Sequence, residues 1–118
     1  MSIDYRELRP SPALVGAVEC FWSMEGAPGP DAPIERILPD GCVEVVFHLG
    51  DPFRAFTEAG RSEAQPRRFV VGPATRFLLI QPPVRVATFG IRFRPAGARL
   101  LLEMPLHEIA GRSVPLDD

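Results

Sequence analysis

Lysine and asparagine do not occur in this chain of 118 residues, and there are only two histidines, two cysteines, one tyrosine and one tryptophan. Each shortage closes a route. Without lysine, all 13 basic residues are arginine, set against 15 Asp and Glu for a net charge of −2. Nucleic-acid affinity is carried by a basic surface, so the chain by itself is expected to be a poor DNA binder. With 14 Pro and 10 Gly beside it, the arginine-only usage looks like the codon bias of a GC-rich genome. His48 and His107 are too few for a three-His metal site within one copy. Glu44 and His48 share a strand parity and could both reach one cation, but two ligands rarely suffice, so neither a metal nor a cofactor is expected. Cys20 and Cys42 stand in apolar, strand-like stretches outside any C-x-x-C pair. They read as small buried hydrophobes, with a disulfide or a paired metal site as the minor alternative.

Catalytic signatures are missing too. None of Ser2, Ser11, Ser23, Ser62 and Ser113 lies in a Gly-x-Ser-x-Gly elbow, and Gly41 and Gly50 are isolated rather than part of a phosphate loop. An enzyme is not expected. No apolar run approaches the ~18 residues of a membrane span, and the opening Met1–Glu7 lacks a secretory leader. The expectation is a cytoplasmic protein with no membrane partner.

What the chain does have is strand patterning. Phe89, Ile91 and Phe93 alternate with Gly90, Arg92 and Arg94, and Pro95 then suits the first turn of a helix. Further strands are expected at Ile3–Leu8, Glu19–Glu25, Ile34–Leu38, Cys42–Leu49 and Arg68–Val71, the last forming a hairpin with Arg76–Ile80 around Gly72-Pro73. Ser11-Pro12 reads as the cap of a short helix with Ala13, Leu14, Ala17 and Val18 on its apolar face. Pro39-Asp40-Gly41 is turn chemistry, with Gly41 at positive φ. Gly50–Pro66 reads as a long polar loop. Pro95–Glu103 and Pro105–Ala110 read as short helices, stopped by Gly111. Six or seven strands at near-regular spacing predict an all-β fold with short helices, a barrel or sandwich, in a single domain over 1–118. The closing Val114–Asp118 has the look of a lead-in to another helix, so a chain cut at a domain junction is expected.

Four stretches in order carry a family likeness. They are Tyr5-Arg-Glu-Leu-Arg-Pro10 with Val18-Glu-Cys-Phe-Trp-Ser23, Leu38-Pro-Asp-Gly-Cys-Val-Glu44 with Phe47-His-Leu-Gly50, Phe89-Gly-Ile-Arg-Phe-Arg-Pro-Ala-Gly97, and Val114-Pro-Leu-Asp-Asp118. As an ordered set they resemble the N-terminal domain that precedes the helix-turn-helix pair in one branch of AraC-type bacterial transcriptional regulators. The resemblance implies a cupin-like, jelly-roll β-barrel used for effector sensing, dimerisation or both. It leaves DNA recognition to a C-terminal helix-turn-helix domain absent from these 118 residues. Two rivals stand beside it, a stand-alone small-molecule-binding or dimerisation module unrelated to DNA and a small cupin-type metalloenzyme.

Parity singles out the candidate site. On the Cys42–Leu49 strand, Val43, Val45, Phe47 and Leu49 form one wholly apolar face, matching Phe89, Ile91 and Phe93. Glu44, His48, Thr88 and Arg92 then share the opposite face. Either that face is a solvated exterior, or it lines a cavity closed by Trp22 and offers a carboxylate, an imidazole and a guanidinium to a small polar effector. A buried charge needs a partner, which makes Glu44–Arg92 the expected pair. Trp22 has a plainer alternative role as core filler. Leu100–Leu102 cannot all face one sheet, because helix neighbours sit ~100° apart. Leu100, beside Met104, is therefore the candidate contact for a homodimer or for the DNA-binding domain.

Overall fold

A computed structural model describes residues 3–37, 41–57, 59–73, 77–102 and 106–116; for residues 96, 100–102 and 106 it describes the backbone alone. The elements in chain order are β1 (Ile3–Leu8), β2 (Val18–Gly26), β3 (Glu35–Ile37), β4 (Val43–His48), β5 (Arg54–Phe56), β6 (Ser62–Ala64), β7 (Arg68–Val71), β8 (Leu78–Gln81), β9 (Val86–Phe93), α1 (Pro95–Leu102), α2 (Leu106–Ile109) and β10 (Ser113–Pro115). The strands form two antiparallel sheets, a six-stranded one in the order β1-β2-β9-β4-β7-β10 and a four-stranded one in the order β3-β8-β5-β6. The protein is an all-β fold, with two short helices among the described residues, as the strand spacing predicts.

The alternation in β4 and β9 fixes how the large sheet is used. Val43 pairs with Phe93, Val45 with Ile91 and Phe47 with Phe89, so the two apolar sets meet on one face. Val18, Val43, Val45, Val70 and Phe93 are buried there beneath Ala98 of α1 and Ile109 of α2. Burying each Val or Phe of this layer contributes about 1.5–3 kcal/mol. The intervening residues pair as Glu44 with Arg92, Val46 with Gly90 and His48 with Thr88 on the other face, where Cys20, Trp22, Val46 and Phe69 make a second buried cluster.

Three expectations need correction. Residues 12–17 form a run of turns instead of a capped helix, with Leu14 and Val15 exposed. The cause lies at the β9–α1 corner. Arg94 donates its backbone N–H to the Ala17 carbonyl (2.9 Å) and its side-chain Nε–H to the Val15 carbonyl (2.7 Å). Gly97 also packs so closely on Ala17 that a Cβ there would strike its backbone. The Gly50–Pro66 stretch is not simply a loop, because β5 and β6 form a hairpin within it. Strands β7 and β8 are not partners: β7 lies between β4 and β10, while β8 joins β3 and β5 in the other sheet. Gly72 is packed under the last residue of α2, and its N–H bonds the Arg112 carbonyl (2.9 Å), so Gly72-Pro73 crosses between sheets instead of turning a hairpin. At the end of the described chain, Ser113–Pro115 is an edge strand on β7.

The punctuation residues behave as their chemistry dictates. Gly41 and Gly111 have φ of +73° and +69°; Pro39 and Asp40 of the expected turn lie outside the described residues. Pro95 opens α1, where its missing N–H costs nothing. No helix among the described residues is long and apolar enough to cross a membrane.

Candidate functional site

The face of the large sheet turned away from the helices is partly covered by the small sheet. It bounds a cavity of about 250 Å³ whose opposite wall includes Ile37, Leu78 and Ile80 of the small sheet. Trp22, Glu44, His48 and Arg92, the four candidates from strand parity, all line it, together with Thr88. Strand parity thus brings these side chains to the wall of one cavity that is open at its rim. The remaining wall is mostly apolar, with Met24, Val46, Phe53, Phe69 and Val71. At the rim stand Tyr5, Ile37 and Leu78, each between about a third and a half exposed.

Trp22 forms the floor. It pairs in register with Gly90 on β9, and Gly90 pairs with Val46 on β4. A Cβ at position 90 would run into the indole ring itself, so the ring lies flat across the glycine. That placement carries its Nε1–H to Oε1 of Glu44, two residues from Val46, at 2.9 Å. The tryptophan is thus both core and cavity wall. Gly90 is the functional residue that sequence reasoning missed, although a glycine interrupting an alternating strand is itself a sign of close approach.

Arg92 donates from Nε to the same Glu44 oxygen at 3.2 Å, which makes the expected pair. Its Nη1 also lies 3.8 Å from Glu19 and 3.9 Å from Glu7, both about half exposed. Burial opposes the guanidinium's charge, but Glu44 leads the neighbours that favour it, and the pKa ends above the ordinary arginine value. Burial followed by the hydrogen bond to Glu7 pushes the Tyr5 hydroxyl up, and burial likewise raises the Cys20 thiol.

His48 is 6% exposed and has both ring nitrogens engaged, Nδ1 with Thr88 Oγ1 and Nε2 with Gln65 Oε1, each at 2.9 Å. The amide oxygen of Gln65 only accepts, so Nε2 carries the proton and the Thr88 hydroxyl donates to Nδ1. Its ring stands between Phe53 and Phe69, with centroids 5.5 and 5.6 Å away. Burial lowers its pKa, and the imidazole is neutral at pH 7. Phe53 and Gln65 flank the β5–β6 hairpin and are joined by the Gln65 N–H to Phe53 carbonyl bond (2.9 Å), so His48 fastens that hairpin to the large sheet. Among the described residues no buried side-chain nitrogen or oxygen lacks a partner.

Among the described residues no group of three His, Cys, Asp or Glu side chains converges. The interface candidates Leu100 and Met104 are not placed: Met104 and the Leu100 side chain lie outside the described residues.

Fold and site together define a two-sheet all-β domain with a small cavity between the sheets, apolar along its walls and charged at one end. Residues 6–115 match a family described as a domain of unknown function (DUF6597), and the chain belongs to that family. Comparison with curated proteins and with solved structures finds no match.

Proposed function

We propose that this domain is the effector-sensing part of an AraC-type bacterial transcriptional regulator, binding a small molecule between its two sheets and turning nothing over. DNA recognition belongs, in this reading, to a C-terminal helix-turn-helix domain, and self-association of the regulatory domain accompanies sensing. The observation that carries the proposal is the convergence of Glu44, His48, Thr88 and Arg92 with Trp22 on one cavity. Concave, mostly apolar sites with a few converging polar groups are where small ligands bind, and ~300 Å³ is the lower end of the usual range. The ordered likeness in Tyr5–Pro10 with Val18–Ser23, Leu38–Glu44 with Phe47–Gly50, Phe89–Gly97 and Val114–Asp118 supplies the link to regulators. The net charge of −2 supports the absence of a DNA-binding surface on this domain.

The test is a small-molecule screen read by the emission of Trp22, the single tryptophan, and by melting temperature. Hits should shift both. They should be lost in Val71→Phe, which fills the cavity from a half-buried position without adding charge. Hits that bind Val71→Phe unchanged would place the ligand elsewhere. A sequence-selective, salt-dependent gel shift by this chain alone would refute the division of labour.

A further inference from the structure

We propose that the molecule this cavity takes is an organic cation, a protonated or quaternary amine carried on an apolar body. The inference rests on the sensing role proposed above and adds the ligand's charge and shape.

The charge follows from what surrounds Arg92. Among the described lining residues it is the only arginine, and it is already bound to Glu44 with Glu7 and Glu19 within 4 Å. Three carboxylates lie within 4 Å of this one guanidinium, Glu44 in the cavity wall and Glu7 and Glu19 about half exposed beside it. An anionic ligand would have to draw Arg92 away from all three and would itself meet their field. A cation enters a region whose potential already favours it, and partial burial weakens the screening that would hide that preference. The imidazole supplies no second positive charge, because both His48 nitrogens are engaged in hydrogen bonds suited to the neutral ring.

The shape follows from Trp22. The indole packs against Gly90 and lines the cavity, with its N–H committed to Glu44. An aromatic face with a carboxylate at its edge is the combination that holds ammonium groups, by attraction to the ring quadrupole together with the nearby charge. Tyr5 stacks beside it at 6.3 Å and stands half exposed at the rim. Beyond the charged end the wall is Val46, Phe69, Val71 and Ile80, which suits a compact hydrocarbon or aromatic body and offers little to a sugar or other polyol.

Three probes of nearly one shape separate the alternatives: phenethylamine, protonated at neutral pH, phenethyl alcohol, and phenylacetate. Each is titrated into the 118-residue chain at low salt and followed by Trp22 emission and melting temperature. The amine should bind roughly 10-fold more tightly than the alcohol, and phenylacetate should bind more weakly than either. Changing the two half-exposed carboxylates, Glu7→Gln with Glu19→Gln, should leave folding intact and cut the amine's advantage to roughly 3-fold. Equal binding of all three, or tightest binding of phenylacetate, overturns the cation inference and leaves the sensing role standing. Failure of all three to alter either signal up to their solubility overturns both.

Discussion

Gly90→Ala tests the geometry of the cavity floor, because the added carbon has one place to go and that place is the indole of Trp22. In an open strand this substitution would stabilise by about 0.4–1 kcal/mol, since alanine loses less chain entropy on folding. Here the ring must lift. Lifting it breaks the Nε1–H bond to the Glu44 carboxylate, a class worth about 1.5–3 kcal/mol when one partner is charged. It also forces repacking among Tyr5, Cys20 and Val46, for which overpacking costs typically about 1–3 kcal/mol. Net destabilisation of about 2–4 kcal/mol is expected. Urea denaturation followed by far-ultraviolet circular dichroism measures it, and the tryptophan emission of the native state should move to the red as the indole meets water. Gly90→Ala combined with Trp22→Leu should cost at least 1 kcal/mol less than the two single changes added together, because the clash disappears with the ring. A Gly90→Ala protein as stable as the parent, with unchanged emission, would refute a ring lying flat on this glycine.

Glu44→Ala should destabilise by about 2–3 kcal/mol in the same assay, leaving a mostly buried Arg92 with only the longer contacts to Glu7 and Glu19; Glu44→Ala with Arg92→Met should recover part of the loss. His48, its pKa held below the ordinary 6.5, stays neutral in the folded chain while the unfolded chain takes up a proton. Stability should therefore fall as pH drops through 6.5 toward the depressed folded value, and His48→Gln should flatten that slope in denaturation midpoints measured from pH 7.5 downward. Gly41→Ala, at φ +73° with nothing within 4 Å of the added carbon, should cost about 1 kcal/mol by backbone strain alone; unaltered midpoints would count against the positive φ.

How much of this was legible in the sequence depends on the range of the interaction that decides each feature. Strand parity is local, so the partition of β4 and β9 into a helix-facing set and a cavity-facing set follows from side-chain alternation alone. Both strands bury the same kind of face, so Val43, Val45 and Phe47 share a side with Phe93, Ile91 and Phe89; parity allows a slip of two residues, and the attraction between Glu44 and Arg92 favours the register seen. The corner at Pro95 and the stop at Gly111 are local for the same reason. Partnership between strands is not local. Nothing in Arg68–Val71 says that its free edge will take Ser113–Pro115 and not the strand that follows it, because that choice is made by α2 settling onto Gly72. The three-residue strands β5 and β6 are too short to show a period. They are held by the side chain of Arg54 on Ser62 and by the tie from Gln65 to His48, and neither bond is written in either strand's pattern.

The glycines divide along the same line, and they show why the site was harder to read than the fold. Gly41 and Gly111 are needed for their φ, and the Pro-Asp-Gly sequence and the end of an apolar helical run announce them. Gly90 and Gly97 are needed for their missing side chains, because Trp22 and the Ala17 backbone occupy the space a Cβ would take. A turn glycine is recognised from its immediate neighbours, whereas a contact glycine is recognised only with the distant residue that lies on it. Trp22 is 68 residues from Gly90 in sequence, yet adjoins it in register. That adjacency turns a tryptophan that reads as core filler into the floor of a cavity. It also places the carboxylate of Glu44 at the edge of the indole, so the chemistry of the site depends on the one position in β9 that carries no side chain.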